Sequence, residues 1–158
     1  MPEPVETNRE GVPYSVDIHI RWSDMDAYGH VNNVEFLRLL EDARVYAFRD
    51  WFGQERSLLN EGILVARQEI DYLAPLTFNY QPARIQVWCS RISGASFDIG
   101  YAVQQPDSAV IFALAETTLV SYDLVGEKPR RLKDSEREAL GAVSAEPPPM
   151  RSRTRGGR

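Results

Sequence analysis

The strongest constraint on the fold is a single long stretch of helical periodicity, placed between stretches that alternate every second residue. The first alternating stretch is typical of a half-buried strand, with apolar positions at Val16, Ile18, Ile20 and Trp22. The helical stretch repeats at spacings of three and four, at Phe36, Leu37, Leu40, Ala43, Ala47 and Trp51. We expect Asn32 to cap this helix, with Glu35 completing a capping box, and Gly53 to end it.

After Gly62 the period returns to two. Strands are predicted over residues 63–73, 84–92, 97–103 and 110–122, and a short helix is predicted from Asp134 to Leu140. The connections between the strands are short, and hairpin-like connections indicate an antiparallel sheet. The pattern therefore predicts an α+β fold, in which an antiparallel five-stranded sheet wraps around one long central helix.

The two ends have the composition of disordered segments. Residues 1–13 are polar, and residues 145–158 contain three consecutive prolines and an arginine-rich stretch without an acid. The remaining length suits a single hydrophobic core. We expect one domain over residues 14–144, a disordered N-terminal segment over 1–13 and a disordered basic tail over 145–158.

Charge and cysteine content argue against several classes of protein. The formal net charge is −5, and an acidic body is a poor binder of nucleic acid. No apolar run approaches the roughly 20 residues of a membrane span, and the N-terminus lacks the pattern of a secretory signal. The single cysteine, Cys89, cannot form an internal disulfide, so we expect a cytoplasmic location. Spacing typical of metal ligands or of a phosphate-binding loop is missing, so we expect neither a metal nor a cofactor.

The densest group of chemically active side chains lies between the first strand and the helix. It comprises Asp24, Asp26, His30, Asn32 and Asn33. A helix start offers unpaired N–H groups, which stabilise an oxygen that gains negative charge during acyl transfer. A carboxylate nearby can attack a carbonyl or activate water. The same spacing also fits simple helix capping, because Asp and Asn are common before helices.

This stretch resembles the signature of a known family. The run Arg21-Trp22-Ser23-Asp24, with Asp26 and the run His30-Val31-Asn32-Asn33, is similar to the motif of the hot-dog thioesterases. It resembles in particular the 4-hydroxybenzoyl-CoA thioesterase-like group, and also the plant acyl-ACP thioesterases. The resemblance covers residues 14–125 and includes the run Tyr72-Leu73-x-Pro75. It implies a hot-dog fold, hydrolysis of an acyl-CoA or acyl-ACP thioester, and a homodimer or homotetramer with sites at the shared interface.

The resemblance also implies roles for individual residues. Asp26 matches the catalytic nucleophile or general base, and Asn33 matches the position whose backbone N–H polarises the thioester carbonyl. His30 matches a histidine proposed to be catalytic in the acyl-ACP enzymes. Those enzymes carry Asn two residues after the Asp, where this chain has Tyr28. Asp24 is expected to shape the turn.

Other polar residues are candidate contacts. Tyr28 and Asn32 are candidates for substrate binding, although Asn32 also suits a helix cap. Arg130 and Arg131 belong to the densest basic cluster of the body and are predicted to contact the CoA phosphates, or a carrier protein's acidic face, although such a cluster also suits a solvated turn. A separate expectation concerns the helix, where Glu41 and Arg44 have the i,i+3 spacing of an ion pair.

Two further functions are open to hot-dog proteins. Some are hydratases of acyl thioesters such as enoyl-CoA, which usually pair a His with a distant acid. Others bind acyl-CoA without turning it over. An intact Asp26 argues against both alternatives.

Overall fold

The computed structural model describes residues 14–53 and 61–156. The predicted disordered segment 1–13 lies outside the described residues. The strands are β1 (Tyr14–Ile18), β2 (Glu61–Tyr72), β3 (Ala83–Ile92), β4 (Ser96–Gln104), β5 (Ala113–Asp123) and β6 (Lys128–Pro129). The helices are α1 (Asn33–Phe52), α2 (Asp134–Ala142) and α3 (Arg151–Gly156). The predicted order of one strand, one long helix and four strands is confirmed, and the two-residue β6 is an addition.

All strand pairs within the described ranges are antiparallel, as predicted. The order across the sheet is β1-β3-β4-β5-β2, and β6 pairs with the end of β5. In this order β2 occupies one edge of the sheet. The β2–β5 ladder runs from Glu61 opposite Asp123 to Tyr72 opposite Ala113, with a bulge between Val65 and Arg67.

The ends of α1 follow from side-chain and backbone chemistry. Asn32 is the N-cap, as predicted, because its side chain accepts a hydrogen bond from the Val34 N–H at 3.0 Å. The expected capping box is not formed, since the Glu35 carboxylate accepts instead from Arg38 Nε at 2.8 Å. Gly53 ends the helix with φ 79°, in the left-handed region that glycine adopts at low cost.

The core lies between α1 and the inner face of the sheet. Alternate residues of the strands point towards the helix, which is the period-two pattern of a sheet with one face on a core. The largest fully buried apolar side chains there include Leu39, Leu40, Ile85, Phe97, Ile99, Tyr101 and Leu119. The sheet packed on a central helix confirms the predicted α+β, hot-dog architecture.

The first strand is shorter than its alternation predicts. β1 ends at Ile18, and although Ile20 is buried, Trp22 is 72% exposed. The chain bends into a short 3-10 turn at Trp22–Asp24 because the Asp24 carboxylate accepts the Arg21 N–H at 2.7 Å. This bend brings the following polar loop to the start of α1.

The expected ion pair between Glu41 and Arg44 is not formed in the part of the chain that the structure describes. The Arg44 side chain is buried rather than surface-paired, and its Nη1 donates to the Tyr101 hydroxyl at 3.1 Å. The reason is position on the helix, since residue 44 lies one turn after Leu40, on the face of α1 that packs against the sheet.

The segment after α2 differs from the expected disordered tail. Met150 is fully buried against Trp88, Ala102 and Leu114 on the outer face of the sheet. The Trp88 indole donates to the Glu146 carbonyl at 2.8 Å, and Arg153 Nη2 donates to both carboxylate oxygens of Glu116 at 2.6 and 2.7 Å. The segment packs because the sheet supplies apolar and acidic partners that the local composition does not reveal.

A glycine of β4 lets this segment approach the sheet closely. A Cβ on Gly100 would lie 2.8 Å from a Trp88 ring carbon and 3.0 Å from Pro148 Cδ. Any other residue at position 100 would displace one of these two groups. The sequence of the sheet is therefore fitted to the segment that covers it.

Candidate active site

Asp24 organises the loop between β1 and α1. It is 1% exposed, and its carboxylate accepts hydrogen bonds from the Arg21 N–H, from Arg21 Nε at 3.0 Å and from Arg38 Nη2 at 2.7 Å. Burial on its own would raise the pKa of Asp24, but the hydrogen bonds from Arg21 and the charge of Arg38 hold that pKa below its ordinary value. Asp24 is therefore a structural anion that joins the loop to α1, in agreement with its expected role in shaping the turn.

Asp26 begins a tight turn that ends at His30. The Asp26 N–H donates to the His30 carbonyl at 2.9 Å, and the Gly29 N–H donates to the Asp26 carbonyl at 3.0 Å. Gly29 has φ 73°, which a residue with a Cβ adopts only at a cost. The Asp26 side chain is fixed through Oδ1, which accepts the Tyr28 N–H at 2.9 Å. Among the described residues Oδ2 has no partner, so one carboxylate oxygen remains for chemistry.

The turn faces the segment that follows β2. The Val31 N–H donates to the Leu76 carbonyl at 2.7 Å, which holds the loop beside residues 73–76. An open cleft of about 350 Å³ lies between them. Asp26, His30 and Asn33 line one side, and Tyr72, Pro75 and Leu76 line the other. The structure therefore brings the three predicted catalytic residues together around one space.

The first N–H groups of α1 are available at this cleft. Asn32 Oδ1 accepts from Val34, and the Asn32 carbonyl accepts from the N–H groups of Glu35 and Phe36. Within the part of the chain that the structure describes, this leaves the Asn33 N–H without an acceptor. An unpaired N–H at the positive end of a 20-residue helix favours a negatively charged oxygen.

Tyr28 and Asn32, the predicted substrate contacts of the loop, lie at the tip of the turn and at the N-cap of α1. Tyr28 is 85% exposed at the tip of the turn, where a substrate can reach it. Asn32 has its oxygen engaged as the helix cap, so its amide NH₂ is the group left for a ligand. Neither residue is among those that line the cleft, so their contact with a substrate stays a prediction.

Arg130 and Arg131 do not lie near the cleft within one chain. The Arg130 N–H donates to the Ser121 carbonyl, eight positions along β5 from Ala113, which pairs with Tyr72. At the rise of a strand that is about 27 Å from the cleft end of the sheet. Arg130 also makes two hydrogen bonds to Glu136, at 2.8 and 2.9 Å. Within one chain these two arginines and the cleft therefore lie towards opposite ends of β5, and their contact with CoA phosphates stays a prediction.

Two further residues support the site: Tyr72, which the sequence offered only as part of the Tyr-Leu-x-Pro run and as a possible pocket residue, and Arg38, which the sequence did not single out. The Tyr72 hydroxyl donates to the Asn33 carbonyl at 3.2 Å, and its ring meets Phe36 edge-on with centroids 5.3 Å apart. Burial raises the pKa of Tyr72, so its hydroxyl is a neutral donor. Arg38 holds Asp24. The Tyr-Leu-x-Pro run signalled the first of these residues, but only the fold shows that β2 ends at the start of α1.

A second groove, of about 490 Å³, lies on the other flank of α1 beside β1. Arg21, Arg38 and Arg49 line it, and it contains none of the predicted catalytic residues.

Over residues 14–53 and 61–156, no group of three His, Cys, Asp or Glu side chains is arranged to hold a metal ion. Over the same ranges no helix is both long and apolar enough to cross a membrane.

The family of the chain follows from a match to a known family model. Residues 20–150 match the family model of the thioesterase-like superfamily, which covers the loop, α1, strands β2 to β6 and α2. The chain belongs to the thioesterase-like superfamily. As a member of this superfamily it carries the hot-dog fold.

Solved structures agree with this assignment. A thioesterase from Thermus thermophilus, complexed with coenzyme A and Zn, is 30% identical with a TM-score of 0.67, over 85% of this chain and 97% of that one. The PA5185 protein of Pseudomonas aeruginosa has a TM-score of 0.78 at 23% identity, over 87% and 95% of the two chains. Slr0204 of Synechocystis, a 1,4-dihydroxy-2-naphthoyl-CoA thioesterase, has a TM-score of 0.70 at 19% identity, over 84% and 96%. The last two likenesses concern the fold.

Proposed function

We propose that this protein hydrolyses an acyl-CoA thioester to the free acid and CoA. The observation that carries the proposal is the cleft in which the carboxylate of Asp26 and the unpaired N–H of Asn33 meet. Acyl transfer needs a nucleophile or base on one side of a carbonyl and a hydrogen-bond donor at its oxygen. Asp26 lies in the short loop between β1 and α1, and Asn33 is the first residue of α1.

In the proposed reaction the thioester carbonyl oxygen accepts a hydrogen bond from the Asn33 N–H. Asp26 either attacks the carbonyl carbon or removes a proton from the water that does so. The carbon–sulfur bond then breaks, and the thiolate of CoA leaves and takes up a proton. His30 lines the same cleft and is the proposed donor of that proton. When Asp26 is the nucleophile, a water then hydrolyses the mixed anhydride formed on its carboxylate, so either role of Asp26 gives the same products.

The choice of CoA as the thiol is part of the proposal. The Thermus thermophilus relative, 30% identical over 85% of this chain, was solved with coenzyme A bound. An acyl carrier protein presents the same pantetheine arm, so the cleft itself suits both. Binding of the arm outside the reacting centre would supply energy for positioning the thioester.

We also propose that two copies join through β2. This strand is one of the two edges of the sheet, and its Leu64 and Val65 are each 44% exposed. Unpaired N–H and C=O groups with apolar side chains on an edge favour pairing with another strand. Antiparallel pairing of two β2 strands would bring the distant end of one copy, with Arg130 and Arg131, towards the cleft of the other.

The experiment is thiol release from a panel of acyl-CoAs by the wild type and Asp26→Asn. We expect turnover of some esters and a fall in kcat of about a hundredfold or more in the variant, because the amide is neither nucleophile nor base. Asp17→Asn is the matched control, since Asp17 pairs with Arg84 on another part of the sheet. Full activity in folded Asp26→Asn would exclude this mechanism. Binding of acyl-CoA without any turnover would support a non-catalytic binding role instead.

A further inference from the structure

Arg44 is a buried charge that the proposed mechanism does not use. It is 7% exposed, and its Nη1 donates to the neutral Tyr101 hydroxyl at 3.1 Å. Over the described ranges of the chain, Glu41 included, no carboxylate forms an ion pair with Arg44. Burying a cation without an anion is costly, so this position attracts a negatively charged group.

A row of polar groups leads from Arg44 to the edge of the sheet. On the neighbouring strand β5, Thr117 Oγ1 donates to Gln68 Oε1 at 3.4 Å. Tyr101 and Thr117 are fully buried, whereas Gln68 is exposed on the edge strand β2. Burial raises the pKa of Tyr101, so its hydroxyl stays protonated. The row contains a cation and neutral groups, and no acid.

The donors of Arg44 are not used up by the protein. A guanidinium has five N–H donors, and Tyr101 takes one of them. None of its nitrogens belongs to the described side-chain atoms that are sealed from solvent and lack a partner. The remaining donors are therefore not sealed from solvent, and they have the fork geometry that binds a carboxylate.

The row lies one acyl chain away from the candidate active site. Phe36, at the cleft, and Arg44 are eight residues apart on α1, which is about 12 Å. Tyr72, at the cleft, and Gln68 are four residues apart on β2, which is about 13 Å. The intervening residues that face the core on these two elements, Leu40 and Ile70, are apolar. The seam between α1 and β2 therefore starts at the catalytic groups, continues along apolar side chains and ends at a cation.

We propose that the preferred substrates are acyl thioesters whose acyl group ends in a carboxylate, and that Arg44, supported by Tyr101 and Gln68, binds that carboxylate. The inference rests on the proposed thioesterase function and names the class of acyl group. The apolar seam accommodates the methylene chain, and the charge of Arg44 is neutralised when the substrate is bound. An uncharged acyl chain of the same length leaves that charge without a counter-ion.

The test compares matched pairs of esters: succinyl- with butyryl-CoA, adipoyl- with hexanoyl-CoA, and suberoyl- with octanoyl-CoA. We expect the wild type to prefer the carboxylated member of at least one pair in kcat/KM. Arg44→Gln keeps a donor for Tyr101 and removes the charge. It should lower kcat/KM for the preferred dicarboxylic ester about tenfold or more, through KM, and leave the uncharged partner unchanged.

Arg49→Met is the control for an arginine on the same helix, because Arg49 lies on the opposite flank and pairs with Asp50. It should keep the wild-type ratio for every pair. Equal ratios in the wild type and Arg44→Gln would overturn the proposal. A loss of assembly in Arg44→Gln with an unchanged ratio would assign Arg44 to an interface and overturn it as well. Should Arg44→Gln not fold, Tyr101→Phe provides the same comparison, with an unchanged ratio again counting against the proposal.

A second measurement separates this inference from the proposed function. If the wild type hydrolyses none of the esters, thermal unfolding is followed in adipate or suberate and compared with hexanoate or octanoate. A rise in Tm with the dicarboxylates that Arg44→Gln abolishes would support the anion site without any catalysis. Identical Tm values in the wild type and the variant would overturn it.

Discussion

At the scale of single residues, Asp24 and Asp26 show how surroundings assign roles to identical side chains. Asp24 is 1% exposed and accepts hydrogen bonds from two arginines. Asp26 is partly exposed and accepts one backbone N–H, and its other carboxylate oxygen has no partner at the cleft among residues 14–53 and 61–156. Because Asp24 fixes the loop, Asp26 can be held in place without giving up its own reactivity.

The role of Asp24 predicts the behaviour of Asp24→Asn. We expect the free energy of unfolding at neutral pH to fall by about 2–3 kcal/mol, because the donors of Arg21 and Arg38 lose their anion. The folded-state pKa of Asp24 is lowered, so its contribution is complete above its ordinary pKa near 3.9 and is lost as the pH falls through the lower value. Urea denaturation at neutral pH and at successively lower pH should show the difference between wild type and variant shrinking.

The control for this prediction is Asp42→Asn. Asp42 also pairs with Arg38, at 3.1 Å, but its side chain is 44% exposed. Solvent screens such a pair, so its removal should cost no more than about 0.5 kcal/mol. A difference for Asp24→Asn that stays constant as the pH falls would contradict the assigned lowering of the pKa.

The residues also show what the sequence can and cannot predict. Asn32 as a cap, Gly53 as a helix end and the grouping of Asp26, His30 and Asn33 follow from local spacing, because the groups involved are near neighbours in the chain. Arg44 was expected to pair with Glu41 for the same reason, and this was wrong. Its partner, Tyr101, is 57 residues away, and only the packing of α1 on β4 brings the two together.

At the scale of elements, the strands and α1 were predictable because the spacing of apolar residues along each of them matches the period of a strand or a helix. The segment after α2 was not, since three prolines and several arginines resemble disorder when they are read alone. Its order comes from the outer face of the sheet, where Trp88 and Leu114 pack on Met150 and Glu116 meets Arg153. Such complementarity between distant segments has no local signature.

This packing predicts the effect of Met150→Ala. Met150 is fully buried, and removing its side chain should lower the free energy of unfolding by about 2–4 kcal/mol. Limited proteolysis should then cleave the segment faster, because its main apolar anchor is lost. Val125→Ala, at a position 73% exposed, should leave both measurements near the wild type. Wild-type stability of Met150→Ala would show that the segment does not contribute to folding.

At the scale of the whole molecule, the open edge of β2 predicts how copies associate. Val65→Lys places a charge on this edge, and charged residues are the usual protection of edge strands against pairing. If two β2 strands pair, the variant should run as a monomer in size-exclusion chromatography with light scattering, and its thioesterase activity should fall. Val125→Lys, which adds the same charge to an exposed position outside β2, should keep the wild-type mass. A wild type that is already monomeric would exclude the pairing.

The covered outer face of the sheet has a consequence for stoichiometry. Sheets can add partners at their edges, by extending the ladder, or on their faces, by stacking. Here the apolar centre of the outer face is occupied by the chain's own residues 146–153, and the inner face holds α1. Pairing through β2 uses the same edge in both copies, so it closes on itself after one step. If copies pair through β2 as proposed, this contact accounts for a dimer, and the edge strand β1 is the part of the sheet that remains for any further copy.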